Sequence, residues 1–221
     1  MRTEPSRRLA LTMRVASAAD YDEPRDCLAQ DWSRFMVDTL PAAAWMGLPN
    51  DPSRTGALLE AWGVDGLILT GGNDIGENPR KDAADLAALD HAVRTGMPVL
   101  AVCRGLQLLQ HRFGGALSPI ADRSHVALEH DIECEPDTLL NPTSRRATLR
   151  VNSYHDNAIR GDGLAHGLEP IARAGDGSIE AVTVPGRRIV GVMWHPERSP
   201  TIAAADRRIV EALFGGRWQW R

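Results

Sequence analysis

The 221-residue chain is 43 % hydrophobic and 24 % charged and carries a formal net charge of -4. That apolar content supports one sizeable core and the length falls short of two full domains, so a single domain over residues 1–221 is expected. The mild acidity and scattered arginines offer no basic face for nucleic acid, and no eighteen apolar residues run together, so neither a nucleic-acid nor a membrane partner is expected.

The start, MRTEPSRRLALTMRVASAAD, has the basic, apolar and small residues of a secretion signal. Arg14 interrupts its apolar stretch, which reads instead as a first buried strand over 9–15. Further apolar runs of strand length follow at 42–48, 66–69 and 99–102, separated by segments of helical length. That alternation predicts a parallel sheet with crossover helices. Over 82–94, Ala84, Leu86, Leu89 and Val93 recur at helical intervals, and Gly96 with Pro98 ends the helix. After Phe113-Gly114-Gly115 the texture shifts to short extended pieces at 126–133, 147–151, 179–184 and 189–194, read as antiparallel strands with a turn at Pro185-Gly186. A last helix is expected over 203–214. The tail GGRWQWR reads as a terminus partly laid on the surface. Cys27, Cys103 and Cys134 have neither metal-ligand spacing nor an even count, which suits a reducing cytoplasm. Pro142 disqualifies Asn141-Pro142-Thr143 as a glycosylation site.

Three short stretches carry chemistry. Val99 to Leu109, VLAVCRGLQLL, places Cys103 where a buried strand gives way to a helix, at the end of a parallel strand where ligands bind. A helix starting at Arg104 or Gly105 aims backbone N–H groups at the sulfur and favours thiolate, and Gly105 suits a sharp turn. Taken alone, the stretch equally fits a small buried apolar residue. In Val190-Gly-Val-Met-Trp-His-Pro-Glu197, an extended backbone through Pro196 projects His195 and Glu197 to the same side, so the carboxylate can orient the imidazole toward a thiol. Leu69-Thr-Gly-Gly-Asn-Asp74 follows another buried strand. The N–H of Gly72, with that of Arg104, can face a developing oxyanion, although a tight turn explains the glycines equally well. The coincidence of the three stretches favours nucleophilic catalysis.

Thr70-Gly-Gly-Asn-Asp74, Val102-Cys-Arg-Gly-Leu-Gln107 and Met193-Trp-His-Pro-Glu197 occur in the order found in class I glutamine amidotransferase-type domains, and the chain resembles the free-standing gamma-glutamyl hydrolases among them. The resemblance implies a flavodoxin-like α/β fold, a mostly parallel central sheet flanked by helices, with a small antiparallel sheet. It implies Cys103 as nucleophile, His195 as general base and acid, Glu197 as its orienter, and the Gly72 and Arg104 amides as oxyanion hole. It also implies that Gln107 and Asn73 contact the glutamyl group, and that Asn152, Ser153, Tyr154 and His155 close over the amino-acid end. No metal or other cofactor is implied.

A narrower similarity, to gamma-glutamyl-CDP-amidate hydrolases, is carried by residues 25–32, Gly71-Gly-Asn-Asp74, residues 152–159, Asp176-Gly-Ser-Ile-Glu-Ala181 and Gly191-Val-Met-Trp-His-Pro-Glu-Arg198. The quick passage of Ile75-Gly-Glu-Asn-Pro79 into the next helix separates the chain from folate and gamma-glutamyl-GABA hydrolases, which usually carry a longer insertion. This likeness implies removal of glutamate from gamma-glutamyl cytidine diphosphoramidate, in the pathway that makes phosphoramidate decorations of bacterial surface polysaccharides. A diphosphate needs cationic partners, for which Arg25, Arg80, Lys81, Arg104 and above all Arg198 are candidates. Asp31 and Trp32 are further recognition candidates, Trp32 with an alternative place in the core. The rival readings are a glutaminase subunit passing ammonia to a synthase, a hydrolase of another gamma-glutamyl conjugate such as gamma-glutamyl-GABA, and a binding protein without chemistry. A small-molecule gamma-glutamyl substrate is expected, and a stable synthase partner is not.

Overall fold

The computed structural model describes residues 7–120 and 125–215. The first half alternates strand and helix: β1 (Arg7–Thr12), β2 (Arg14–Ser17), β3 (Pro24–Cys27), α1 (Asp31–Thr39), β4 (Ala43–Leu48), α2 (Thr55–Ala61), β5 (Gly66–Leu69), α3 (Pro79–Thr95), β6 (Val99–Val102) and α4 (Arg104–Arg112). The second half is strand-rich: β7 (Ser118–Pro119), β8 (Val126–Cys134), β9 (Ala147–Tyr154), β10 (Asn157–Ala158), β11 (Glu169–Ala174), β12 (Ile179–Thr183) and β13 (Ile189–Val192), before α5 (Ala204–Phe214).

The main sheet runs β4-β1-β5-β6-β13-β12-β11-β8-β9. Its first five strands are parallel. Numbered along the chain they lie in the order 2-1-3-4-5, the flavodoxin-like winding. β5, β6 and β13 are buried on both faces, as GLIL, VLAV and IVGV require of strands covered by helices on each side. Alternate residues serve opposite layers. Leu100 and Val102 join a core with Trp32 and Phe35 of α1 and Leu213 and Phe214 of α5, while Val99 and Ala101 join one with Leu59 of α2, Leu89 of α3 and Leu106 and Leu109 of α4.

The antiparallel strands continue this sheet through β13, which is parallel to β6 on one side and antiparallel to β12 on the other. The small antiparallel sheets are β2 with β3 and β7 with β10. The strand expected over 9–15 divides at Met13. β1 stays in the main sheet and β2 pairs with β3, because the Met13 carbonyl accepts from Lys81 Nζ (2.9 Å) and Asn50 Nδ2 (3.1 Å) rather than from a neighbouring strand. α3 begins earlier than 82, with the Asn78 side chain accepting from the Lys81 amide and Pro79 in the first turn, and ends at Gly96 with φ 73°. Of the expected tail, residues 216–221 lie outside the described residues. Among the described residues no helix is long and apolar enough to cross a membrane.

Gly105, in the first turn of α4, lies so close to β5 that an added Cβ would overlap the Leu69 carbonyl oxygen and stand 2.8 Å from Leu69 Cβ. Gly105→Ala is therefore expected to lose roughly 1–3 kcal/mol by urea denaturation. Gly175→Ala, where an added Cβ meets nothing within 4 Å, should leave the midpoint nearly unchanged.

Candidate active site

The carboxyl ends of β1, β5, β6 and β13 point to one edge of the sheet, where the winding reverses between β1 and β5. Cys103 follows β6 with φ 52° and ψ -105°, a conformation that costs a non-glycine residue on the order of 1–3 kcal/mol. Its amide donates to Val192 O at 2.7 Å, locking the turn to β13, and α4 begins at the next residue. The sharp turn expected from Gly105 is present, and the sulfur stands at the helix N-terminus.

His195 and Glu197 follow β13. The extended backbone expected between them is a short 3-10 turn, Pro196–Arg198. The pair nevertheless meets, His195 Nδ1 lying 2.7 Å from Glu197 Oε1 with both side chains buried. Because the carboxylate accepts at Nδ1, Nε2 is left to act on the thiol. Asn152 of β9 holds the imidazole's backbone from both sides, accepting from His195 N and donating to His195 O, each at 2.8 Å. Arg34 of α1 donates to the carbonyls of Glu197 (2.7 Å) and Ser199 (2.9 Å) and so pins the turn. The Tyr154 ring meets His195 edge-on at 5.7 Å, and the Arg198 guanidinium sits 4.5 Å over Tyr154.

Burial is the largest influence on His195 and disfavours its charged form. Hydrogen bonding to Cys103 and Glu197, reinforced by their negative charge, outweighs it and raises the pKa to about 9. The protonated ring is the countercharge that a thiolate needs.

The Thr70-Gly71-Gly72 loop completes the wall. Thr70 is tied to the end of β1, its amide donating to Thr12 Oγ1 (3.0 Å) and its hydroxyl to Thr12 O (2.7 Å). A Cβ on Gly71 would come within 2.6 Å of His195 Cε1, and one on Gly72 within 2.9 Å of Arg14 Cβ. Only a residue without a side chain at 71 allows the loop to lie this close to the imidazole, and one at 72 lets it pass Arg14. Cys103, His195, Glu197, Gly71 and Gly72 share one pocket of about 220 Å³, further walled by Arg14, residues 27–29, Trp32, Thr70, Tyr154 and Arg198.

Of the substrate-contact residues expected from sequence, the structure brings Tyr154 and Arg198 to this pocket. The others point elsewhere. Asn152 positions His195 through its backbone. Asn73 pairs with the Val15 backbone (2.8 and 3.1 Å) and holds β2. Gln107 is buried and donates to Asn157 O (3.2 Å), Ser153 donates to His125 O (2.7 Å), and His155 Nδ1 meets Asn157 O (3.0 Å). Burial, against the opposing pull of Glu180, pushes His155 down to about 4, so its ring is neutral near pH 7.

Four of the five cations expected near a diphosphate are engaged outside the pocket. Arg104 contributes its backbone at the start of α4, but its buried side chain pairs with Asp82 (2.5 Å) and Asp85. Lys81 is buried on Asp85 (2.8 Å), Arg80 donates to Asn50 O (2.6 Å), and Arg25 bonds Tyr21 and Glu23 (2.6 Å each). Sequence reasoning misses Arg14 because it places that residue inside the strand expected over 9–15, whereas β1 ends at Thr12 and Arg14 lines the pocket. Trp32 reconciles its two expected places, being 2 % exposed in the core and also part of the pocket wall. Asp31 begins α1 and lies within 3.8 Å of Arg34.

This winding, with a cysteine at the β6 turn and a histidine-carboxylate pair after β13, is that of the glutamine amidotransferase fold. A Thermotoga maritima crystal structure described as a glutamine amidotransferase superposes with a TM-score of 0.63 at 15 % identity, covering 94 % of this chain and 82 % of that one. Residues 10–197 match Peptidase C26, and the chain belongs to that family. Among curated relatives, YvdE of Lactococcus lactis, named as glutamine amidotransferase-like, is 31 % identical over 69 % of this chain and 74 % of its own. The gamma-glutamyl-CDP-amidate hydrolase of Campylobacter jejuni is 28 % identical over 86 % of this chain and 90 % of its own.

The folded-state value of about 9 for His195 lies above the ordinary 6.5. Its stabilisation is therefore complete below about pH 6.5 and is lost as pH rises through about 9. Denaturation midpoints measured across that window are expected to fall for the wild type. In Cys103→Ala, which lacks one of the two side chains that hold the proton, the fall should be smaller.

Proposed function

We propose that the chain is a cysteine hydrolase that cleaves a gamma-glutamyl amide through a glutamyl thioester, with gamma-glutamyl-CDP-amidate as substrate. The observation that carries the chemistry is the 2.7 Å His195–Glu197 contact in the same pocket as the turn-borne Cys103. The Cys103 thiolate attacks the gamma-carbonyl carbon, forming a C–S bond while negative charge moves to the oxygen. The Gly72 and Arg104 amides, at the loop after β5 and the first turn of α4, stabilise that oxyanion. As the C–N bond breaks, His195 gives its proton from Nε2 to the departing nitrogen. With the sulfur now esterified, its negative charge no longer holds a proton on His195, so the neutral ring takes one from water. The resulting hydroxide cleaves the thioester, releases glutamate and restores the thiolate-imidazolium pair.

The leaving group is proposed from two observations. The similarity to the Campylobacter jejuni hydrolase spans nine-tenths of that protein. The pocket, at about 220 Å³, suits the amino-acid end of such a substrate, while Arg14 and Arg198 at its wall suit a diphosphate. The product would then be cytidine diphosphoramidate, made for surface polysaccharide modification in the cytoplasm without a stable synthase partner.

Glutamate release should be measured with gamma-glutamyl-CDP-amidate, gamma-glutamyl-GABA and glutamine. Rapid turnover of the nucleotide conjugate is expected, with Cys103→Ala slower by roughly 10⁴-fold or more. Arg198→Ala and Arg14→Ala should each raise KM for the nucleotide conjugate about tenfold, equivalent to ~1.4 kcal/mol, and leave gamma-glutamyl-GABA unaffected. Preferential turnover of glutamine, appearing only with an added synthase, would replace this reading with ammonia supply. Retention of activity by Cys103→Ala would overturn the covalent route.

A further inference from the structure

On β8, on β12 and at the residues that precede β8 and follow β9, three histidines surround one carboxylate. Glu180 of β12 is fully buried, and its Oε1 lies 3.5 Å from His125 Nδ1 and 3.7 Å from His155 Nε2, while its Oε2 lies 3.6 Å from His130 Nε2. His125 and His155 are 3 % and 4 % exposed. All three facing nitrogens and Glu180 Oε2 are buried without a hydrogen-bond partner among the described residues.

The ring partners identify what faces the carboxylate. His155 Nδ1 lies 3.0 Å from Asn157 O, which only accepts, so Nδ1 carries the hydrogen and Nε2 presents a lone pair. His125 stands between two carboxylates, its Nε2 3.4 Å from Asp176 Oδ2 and its Nδ1 3.5 Å from Glu180 Oε1. The His155 lone pair thus faces a carboxylate, with two further imidazole nitrogens around it, at separations too long for good hydrogen bonds and in a place where an unpaired charge is very costly. A cation between them removes the conflict. Two donors bound to tetrahedral zinc at ~2.0–2.1 Å stand about 3.3–3.4 Å apart, close to the 3.5 and 3.7 Å that separate His125 Nδ1 and His155 Nε2 from Glu180 Oε1. The outward bond of His155 Nδ1 to a carbonyl is of the kind that orients a metal-binding imidazole.

The geometry points to a buried divalent transition-metal site, formed by His125 Nδ1, His155 Nε2 and the Glu180 carboxylate, whose ligand atoms all lie within 4.8 Å of one another, with zinc as the ion best suited to two imidazoles and a carboxylate. The ion is structural. It ties the residue before β8 to β12 and to the residue after Tyr154, and so braces the end of β9 that carries Asn152 and Tyr154 to His195. This goes beyond the proposed hydrolysis and does not depend on it.

The test is metal content per chain by inductively coupled plasma mass spectrometry, on full-length protein grown with zinc and passed through a weak chelator. About one equivalent is expected in the wild type and in Cys103→Ser, with less than about a tenth in Glu180→Gln and His155→Gln. If these variants fail to fold, wild type stripped of metal is offered cobalt(II). It should gain the visible absorption of a tetrahedral site and a higher Tm, and Cys103→Ser should do the same. Another first-row metal in this pattern supports the site and changes only the ion. A wild type that holds under a tenth of an equivalent and takes up neither zinc nor cobalt overturns the proposal, as does metal lost in Cys103→Ser and kept in Glu180→Gln.

Discussion

The turn at Cys103 is the constraint on which the site depends. A residue with φ 52° between a strand and a helix persists only if its neighbours leave no alternative. β6 is held on both sides by parallel partners, the Cys103 amide is bonded across to β13, and Gly105 presses α4 against Leu69. Leu106, Leu108 and Leu109 are fully buried, each contributing on the order of 1.5–3 kcal/mol. Together these fix the helix and oblige the cysteine to take the strained position, which sets Cys103 at the pocket wall on the border of the core.

The imidazole reaches the sulfur because β13 belongs to two kinds of sheet at once. Its parallel pairing with β6 sets His195 beside the Cys103 turn. Its antiparallel pairing with β12 starts the extension whose last strand, β9, returns Asn152 to grip the His195 backbone. The antiparallel half therefore supplies orientation to a site whose reactive groups stand on the parallel half. Glu197 meets the ring at Nδ1, and Gly71 leaves room for the ring beside the loop.

Much of this is legible in the sequence. Strands buried on both faces need nearly continuous apolar runs, so 66–69 and 99–102 can be read residue for residue, and the three chemical stretches stand at strand ends where an α/β sheet binds ligands. What stays hidden depends on contacts between distant segments. The break at Met13 is made by Lys81 and Asn50, and β11 escapes notice because Pro170 and Arg173 obscure a short strand. Asn152-Ser-Tyr-His155 is visible as a motif, but pairing with β8 decides which of its side chains face the pocket, and only Tyr154 does. The histidine cluster has no metal-ligand spacing along the chain, since its members gather from three strands and their flanks, and so the sequence implies no metal.

The central claim is that the gamma-glutamyl group passes through the Cys103 sulfur. Acid quenching of the wild-type protein during turnover of a gamma-glutamyl conjugate, followed by peptide mass spectrometry, examines it most directly. The account predicts a glutamyl adduct on the peptide containing Cys103, appearing and decaying at rates compatible with turnover. Turnover with an unmodified Cys103 throughout, in an experiment able to trap a thioester, or an adduct on Cys27 or Cys134 instead, would contradict it.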